Sequence, residues 1–210
     1  MSLYRKYQLD NLIVAVWKIE ETLEELRAMF SDFSLYEERF ACFSSEKRKI
    51  EWLAVRVLLK EICGEEKAIE YHSSGRPYLK DGSAEISFSH TNGYVAVAYS
   101  ENCNVAVDIE QYGTRVKRIA SRFIRDDEKI SLLKGDEIYG LLLHWSAKET
   151  MFKLMDVEGV DFIEHLHIHP FIPLSEGQML AEEYRTDVHR CFNIYYHTHP
   201  DYVLTYSVIP

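Results

Sequence analysis

The stretch NVAVDIEQ, Asn104 to Gln111, restricts this chain more than any other. Its alternation sets Val105, Val107 and Ile109 on one face of a strand and Ala106, Asp108 and Glu110 on the other. The apolar face requires a core. The opposite face carries two carboxylates roughly 7 Å apart at the Cα level, twice the strand rise, so their oxygens can converge on one divalent cation. Acidic residues at strand ends are also commonly solvated beside a loop. These eight residues alone leave both readings open.

With 210 residues, 47% of them hydrophobic, the chain can bury a sizeable core in one ordinary domain or in two fused small units. Apolar runs such as LIVAVW and YGLLLHW fall far short of the roughly 18 residues that span a bilayer, and no charged-apolar-small signal pattern opens the chain. A soluble, cytoplasmic protein with no membrane association is expected. Cys42, Cys63, Cys103 and Cys191 are scattered, without a C-x-x-C pair or the density of a disulfide scaffold, so reduced structural thiols are expected.

A formal net charge of -10 argues against general nucleic-acid binding, which needs a field of opposite sign. Two basic clusters stand out locally. Lys47, Arg48, Lys49, Arg56 and Lys60 share one predicted helix, and Arg115, Lys117, Arg118, Arg122 and Arg125 share another segment. They suit a small polyanionic ligand better than a long polymer, with a solvated helix face as the alternative for each.

Residues 10–20 read as a strand, followed by a helix through ETLEELRAMF with Thr22 near its start. In FSSEKRKIEWLAVRVLLKEICG, Ser44 or Ser45 can cap a helix of about five turns that Gly64 stops. Ile50, Leu53, Ala54, Val57, Leu58 and Ile62 form its stripe, with Arg56 off it. AIEYH, AEISFSH, GYVAVAYS and CNVAVDIE then read as strands, with a turn at SSGRP and a tight hairpin at Asn92-Gly93. The last three predict an antiparallel meander. Helices are predicted at 115–122, 126–134 and 136–155, and strands in DFIEHLHIHP, QMLAEEYR, HRCFNIYYH and YVLTYSVI. The order predicts an α+β fold of two similar α/β halves, residues 1–100 and 101–210, with largely antiparallel sheets, a pseudo-twofold and a cleft between them.

On the helix at 136–155, Trp145, Glu149 and Lys153 recur every four residues and so share one face. In chain order stand GRPYL at 75–79, SFSHT at 87–91, VAVDIE at 105–110 and WSAKETMFK at 145–153. Each is common alone; the four in this order and spacing are specific. Together they resemble the 4′-phosphopantetheinyl transferases over roughly residues 40–155, with KRKIEWLAVR similar to the arginine-bearing helix before that family's core. The length resembles the longer single-chain type associated with surfactin synthetase activation, rather than the short trimeric type.

The resemblance implies Mg²⁺-dependent transfer of the phosphopantetheine arm of coenzyme A to a serine of an apo acyl or peptidyl carrier protein, releasing 3′,5′-ADP. It implies Asp108, Glu110 and Glu149 as magnesium ligands, Glu149 and Lys153 as catalytic residues, and Arg56, Arg76, Ser89 and His90 around coenzyme A. By analogy, two halves in one chain complete a cleft without a partner, so a monomer is expected. The residues depart from the family at Ser87, where Asn is usual, at Thr91, where Ser is usual, and at Ile124, where Phe is common; Glu128 is therefore expected to be structural. Beyond 160 the resemblance fades, which leaves a catalytically silent coenzyme A or carrier-binding module of the same fold as the alternative function. A phosphohydrolase reusing the carboxylates is a third class.

Two further signals are discounted. His165, His167 and His169, and later His197 and His199, alternate on predicted strands, but no cysteine or carboxylate pattern completes a zinc site. Ser89 and His90 are adjacent in a strand, point to opposite faces and lack a nucleophile elbow, so a hydrolase triad is not expected.

Overall fold

Two antiparallel sheets packed face to face, each with a long helix on its outer side, organise the computed structural model, which describes residues 3–210. The first sheet contains β1 (Leu3–Leu9), β2 (Leu12–Lys18), β5 (Glu85–Thr91) and β6 (Tyr94–Ser100) in the order β1-β2-β6-β5. The second contains β7 (Asn104–Gln111), β8 (Leu166–Ile168), β9 (Glu176–Glu183), β10 (Cys191–Thr198) and β11 (Tyr202–Ile209) in the order β7-β11-β10-β9-β8. A small hairpin pairs β3 (Ile69–Tyr71) with β4 (Pro77–Leu79). The fold is therefore α+β with mostly antiparallel sheets.

Local chemistry sets the helix ends. Thr22 and Glu25 form a reciprocal capping box at the start of α1 (Leu23–Ala28). A second short helix, α2, covers Ser34–Ala41. At α3 (Glu46–Cys63) the Ser45 side chain accepts from the Arg48 amide, and Gly64 closes the helix at φ +76°, where a residue without Cβ is least strained. Leu53, Ala54, Val57 and Leu58 of α3 pack on Ala15, Trp17, Ile86, Val95 and Val97 of the first sheet.

On the opposite face of that sheet, Leu12, Val14, Val16, Ala96 and Ala98 meet Val105, Val107, Ile109 and Leu204 of the second. The alternation in NVAVDIEQ thus has two cores to serve. Its valines and isoleucine fill the layer between the sheets, while Ala106 turns to the layer under α4 (Glu137–Met155).

Three sequence expectations need correction. β7 does not continue a meander: it leaves β6, joins the second sheet as an edge strand and pairs with β11, Asp108 opposite Thr205. Its free edge lies beside β5, and there the Val107 amide donates to Ser87 Oγ at 3.2 Å in place of a ladder bond. Residues 126–134 are not helical, because Glu128 turns inward to a buried lysine and leaves the local backbone to turns. Residues 114–122 form two short 3₁₀ turns rather than a helix. The strand β1 and the helix α2 lie outside the predicted elements. No helix among the described residues is long and apolar enough to cross a membrane.

One close approach positions α4. A Cβ on Gly140 would overlap the Ser131 carbonyl oxygen and come within 2.9 Å of Ile130 Cγ2. Backbone cannot yield as a side-chain tip can, so Gly140→Ala is expected to destabilise the protein by about 1–3 kcal/mol. Thermal unfolding of that variant checks the loss.

Candidate active site

Asp108 lies in the buried part of β7 at 4% exposure, facing α4. Its Oδ1 accepts from Ser89 Oγ at 3.0 Å and from Lys153 Nζ at 2.8 Å, and its Oδ2 accepts from Ser146 Oγ at 2.8 Å. Lys153 also donates to the Val107 carbonyl at 2.9 Å. Two residues along the strand, Glu110 Oε1 accepts from the Trp145 indole at 2.7 Å. The helical period of four and the strand period of two therefore run past each other, Trp145 over Glu110 and Lys153 over Asp108. Glu149, midway between them on α4, is held in the same half-buried space.

The electrostatics follow from crowding. Burial, then the Asp108 charge, pushes the Glu110 carboxyl up to about 7; the Trp145 hydrogen bond and the Lys153 charge pull the other way. Burial and the same Asp108 charge push Glu149 up to about 7, with Lys153 opposing. Three carboxylates facing one lysine hold more negative charge than their surroundings neutralise. Among the described residues, no three histidine, cysteine or acidic side chains stand converged as a closed metal cage. The donor set nevertheless fits a hard cation: all oxygen, crowded, and undercompensated in charge.

The cluster lies between two hollows. A cleft of about 670 Å³ is lined by the β3–β4 turn with Gly75 and Arg76, by Ser87 and Phe88 of β5, and by Lys153 and the segment after α4. A smaller hollow of about 390 Å³ is lined by Thr91, Glu110, Tyr112, Arg115 and Trp145. Lys153 thus faces the larger space, and Glu110 and Trp145 the smaller.

Most of the sequence-predicted residues come together here. Arg76 lines the larger cleft and ties the sheets across it, its Nη2 donating to Glu85 Oε2 and Asn104 Oδ1, both at 2.8 Å. Ser89 touches Asp108. His90 sits at the N-terminal end of α3 against Arg48 and 3.3 Å from Glu51; burial, then the Arg48 charge, lowers its pKa. Arg56 is not brought to either hollow. It is 6% exposed, its guanidinium 3.3 Å over the Trp52 ring and hydrogen-bonded to the Trp52 carbonyl.

Sequence reasoning missed Ser146, Thr150 and Thr205, which back Asp108 in the interior. The signal was present, since Ser146 and Thr150 are two hydroxyls at i and i+4 and so share one helix face. It also left Lys148 without a role. That side chain is wholly buried and bonds Glu128 at 2.9 Å, Phe123 O at 2.5 Å and Phe162 O at 3.1 Å. His197 of β10 and His169, just after β8, sit in aromatic and acidic company, His197 stacked on Tyr7 with ring centroids 3.8 Å apart and His169 3.4 Å from Glu182.

Fold and site together define a two-sheet α+β protein that gathers carboxylates and a lysine beside a cleft, an arrangement suited to handling phosphate groups near a cation. The family model described as the 4′-phosphopantetheinyl transferase superfamily matches residues 104–207, from the first residue of β7 almost to the end of β11. The chain belongs to this superfamily, and a phosphopantetheinyl transferase role in general follows from it. A search of curated proteins finds no match. The family match corrects the expected fading beyond 160, because it runs through all five strands of the C-terminal sheet as far as residue 207. Strands in that region alternate by burial rather than by motif, which is why no short signature marks them.

Proposed function

We propose that this protein transfers the 4′-phosphopantetheine arm of coenzyme A to a serine hydroxyl of an apo acyl or peptidyl carrier protein, with Mg²⁺, releasing 3′,5′-ADP. The observation that carries the reading is the meeting of Asp108 and Glu110 with Glu149 and Lys153, groups some forty residues apart in the chain, beside the 670 Å³ cleft.

In this reading Asp108, Glu110 and Glu149 hold the magnesium ion, which when bound supplies positive charge to the pyrophosphate of coenzyme A. Glu149 takes the proton from the serine hydroxyl, a task open to a carboxylate standing beside the cation it helps to hold. The serine oxygen bonds to phosphorus as the bond to the departing 3′,5′-ADP oxygen breaks, and Lys153 offsets charge on the leaving side. Arg76, Ser89 and His90 are assigned to coenzyme A, and Arg56 to the frame of α3 behind them. The division at residue 100, the monomeric state and kinship with the longer single-chain type form part of the proposal. They are supported by the first sheet ending at Ser100, the second beginning at Asn104, and a cleft lined from both. Four unpaired thiols suit a reducing compartment, so a cytoplasmic location is included. The alternative of a silent binding module rested on a divergent C-terminal third, and the match through residue 207 removes that ground.

Intact-mass spectrometry of apo acyl and peptidyl carrier proteins, incubated with the protein, coenzyme A and Mg²⁺, tests the function. A carrier heavier by one phosphopantetheine supports it. Coenzyme A cleavage without any carrier would point instead to hydrolysis.

A pH-dependent metal effect is also expected. Glu110 and Glu149 have folded pKa values above the ordinary 4.5, so in the metal-free protein their stabilising contribution is complete below about 4.5 and lost as pH rises through about 7. Magnesium favours the ionised forms and restores stability where it was lost. Its addition should raise the melting temperature at pH 8 and leave it nearly unchanged at pH 5, as read by thermal unfolding with and without chelator.

A further inference from the structure

Behind Asp108 runs a line of three hydroxyls with no exposure to water: Ser146, Thr205 and Thr150 are each 0% exposed. Ser146 Oγ lies 2.8 Å from Asp108 Oδ2 and 2.8 Å from Thr205 Oγ1, and Thr205 Oγ1 lies 2.7 Å from Thr150 Oγ1. An ionised carboxylate only accepts, so Ser146 must give its single proton to Asp108. Its oxygen then accepts from Thr205, whose oxygen in turn accepts from Thr150. Thr150 has a second acceptor in the Thr205 carbonyl, but at 3.4 Å it is the longer contact. All three protons therefore point the same way, toward the carboxylate.

We infer that Thr150, Thr205 and Ser146 form a directed hydroxyl chain that positions Asp108, fixing one carboxylate oxygen in the interior and turning the other toward Ser89 and the cleft-lining Lys153. The chain spans two elements. Ser146 and Thr150 come from successive turns of α4, and Thr205 stands opposite Asp108 across the β7–β11 ladder. Packing alone would place valine at such positions, as Val203 does one step away on the same face. Buried hydroxyls are costly unless each is bonded, and here each is bonded to the next, with the carboxylate as the final acceptor. Oδ1, by contrast, meets Ser89 and Lys153, and Lys153 lines the larger cleft. Each donor in such a chain polarises the next, so removing a distant hydroxyl weakens the hold on Asp108 as well. These are positioning residues. The inference rests on the reading of Asp108 as a metal ligand.

The test measures Mn²⁺ affinity of the full chain from the free-ion signal in electron paramagnetic resonance, with Mn²⁺ in place of Mg²⁺. Partners behind a metal ligand commonly control affinity by about tenfold or more, so Thr205→Val should weaken binding by about tenfold. Thr150→Val should weaken it by a few-fold, on the same ground of a weakened outer partner. Thr205→Ser, which keeps the hydroxyl and loses the methyl, should bind like the wild type. Thermal unfolding accompanies each variant, and if Thr205→Val does not fold, Thr150→Val and Thr205→Ser decide. Wild-type affinity in both valine variants would overturn the chain and leave the metal reading standing. Equal weakening in Thr205→Ser and Thr205→Val would overturn it too, by assigning the effect to packing. A wild-type protein that binds no Mn²⁺ would overturn the metal reading itself and the inference with it.

Discussion

Glu149→Gln is expected to lower transfer by about a thousandfold or more while making the metal-free protein more stable at pH 8. The first effect combines two losses. A positioned general base contributes typically about 10²–10⁴-fold, and an amide in place of a carboxylate also removes one metal oxygen charge. The second effect comes from the crowding of the same acids. Glu149 is pushed up to about 7 by burial and by the Asp108 charge, so holding it ionised at pH 8 costs stability on the order of 1–3 kcal/mol. Glutamine has the same shape without that charge. Steady-state transfer and denaturant unfolding, run on one preparation at pH 8, check both halves. Reduced activity together with reduced stability would mean that the side chain serves the fold rather than the reaction.

Lys148→Ala should behave in the opposite way to Lys153→Ala, although the two lysines are five residues apart in one motif. Lys148 and Glu128 are both wholly buried, and the lysine ammonium has three acceptors: Glu128, Phe123 O and Phe162 O. Glu128 in turn accepts the Arg125 and Ile168 amides, both within 3 Å. Removing the ammonium leaves a buried carboxylate without its cation and two carbonyls without their donor, a loss of about 3–5 kcal/mol. The Lys153 side chain is 28% exposed at the cleft, and the buried Asp108 it pairs with keeps its Ser89 and Ser146 donors when the lysine is lost, so that loss should reduce transfer strongly with a smaller change in stability. Denaturant unfolding of both variants separates them. Comparable stability losses would place Lys153 in the frame of the protein and remove it from the leaving-group side.

These two lysines show how much of the site is legible before folding. A period of four put Trp145, Glu149 and Lys153 on one face, and a period of two put Asp108 and Glu110 on one face. Both follow from backbone geometry that tertiary contacts do not alter. The caps at Thr22 and Ser45 and the stop at Gly64 were readable for the same reason, because they are settled within a few residues. Long-range partners were another matter. Nothing local said that β7 would leave β6 for β11, and that exchange is what turns Asp108 toward α4 and brings Thr205 opposite it.

The sequence by itself determined the local elements with a strong period, the grouping of the acids and the family motifs, since each depends on neighbours within about one helical turn or one strand. Tertiary structure alone decided that Arg56 is buried over Trp52, that residues 126–134 give up helix so that Glu128 can reach Lys148, and that three hydroxyls line up behind Asp108. In each case the deciding term is desolvation. A buried charge or hydroxyl must find its partner wherever the packed fold puts one, and sequence distance has no bearing on that search.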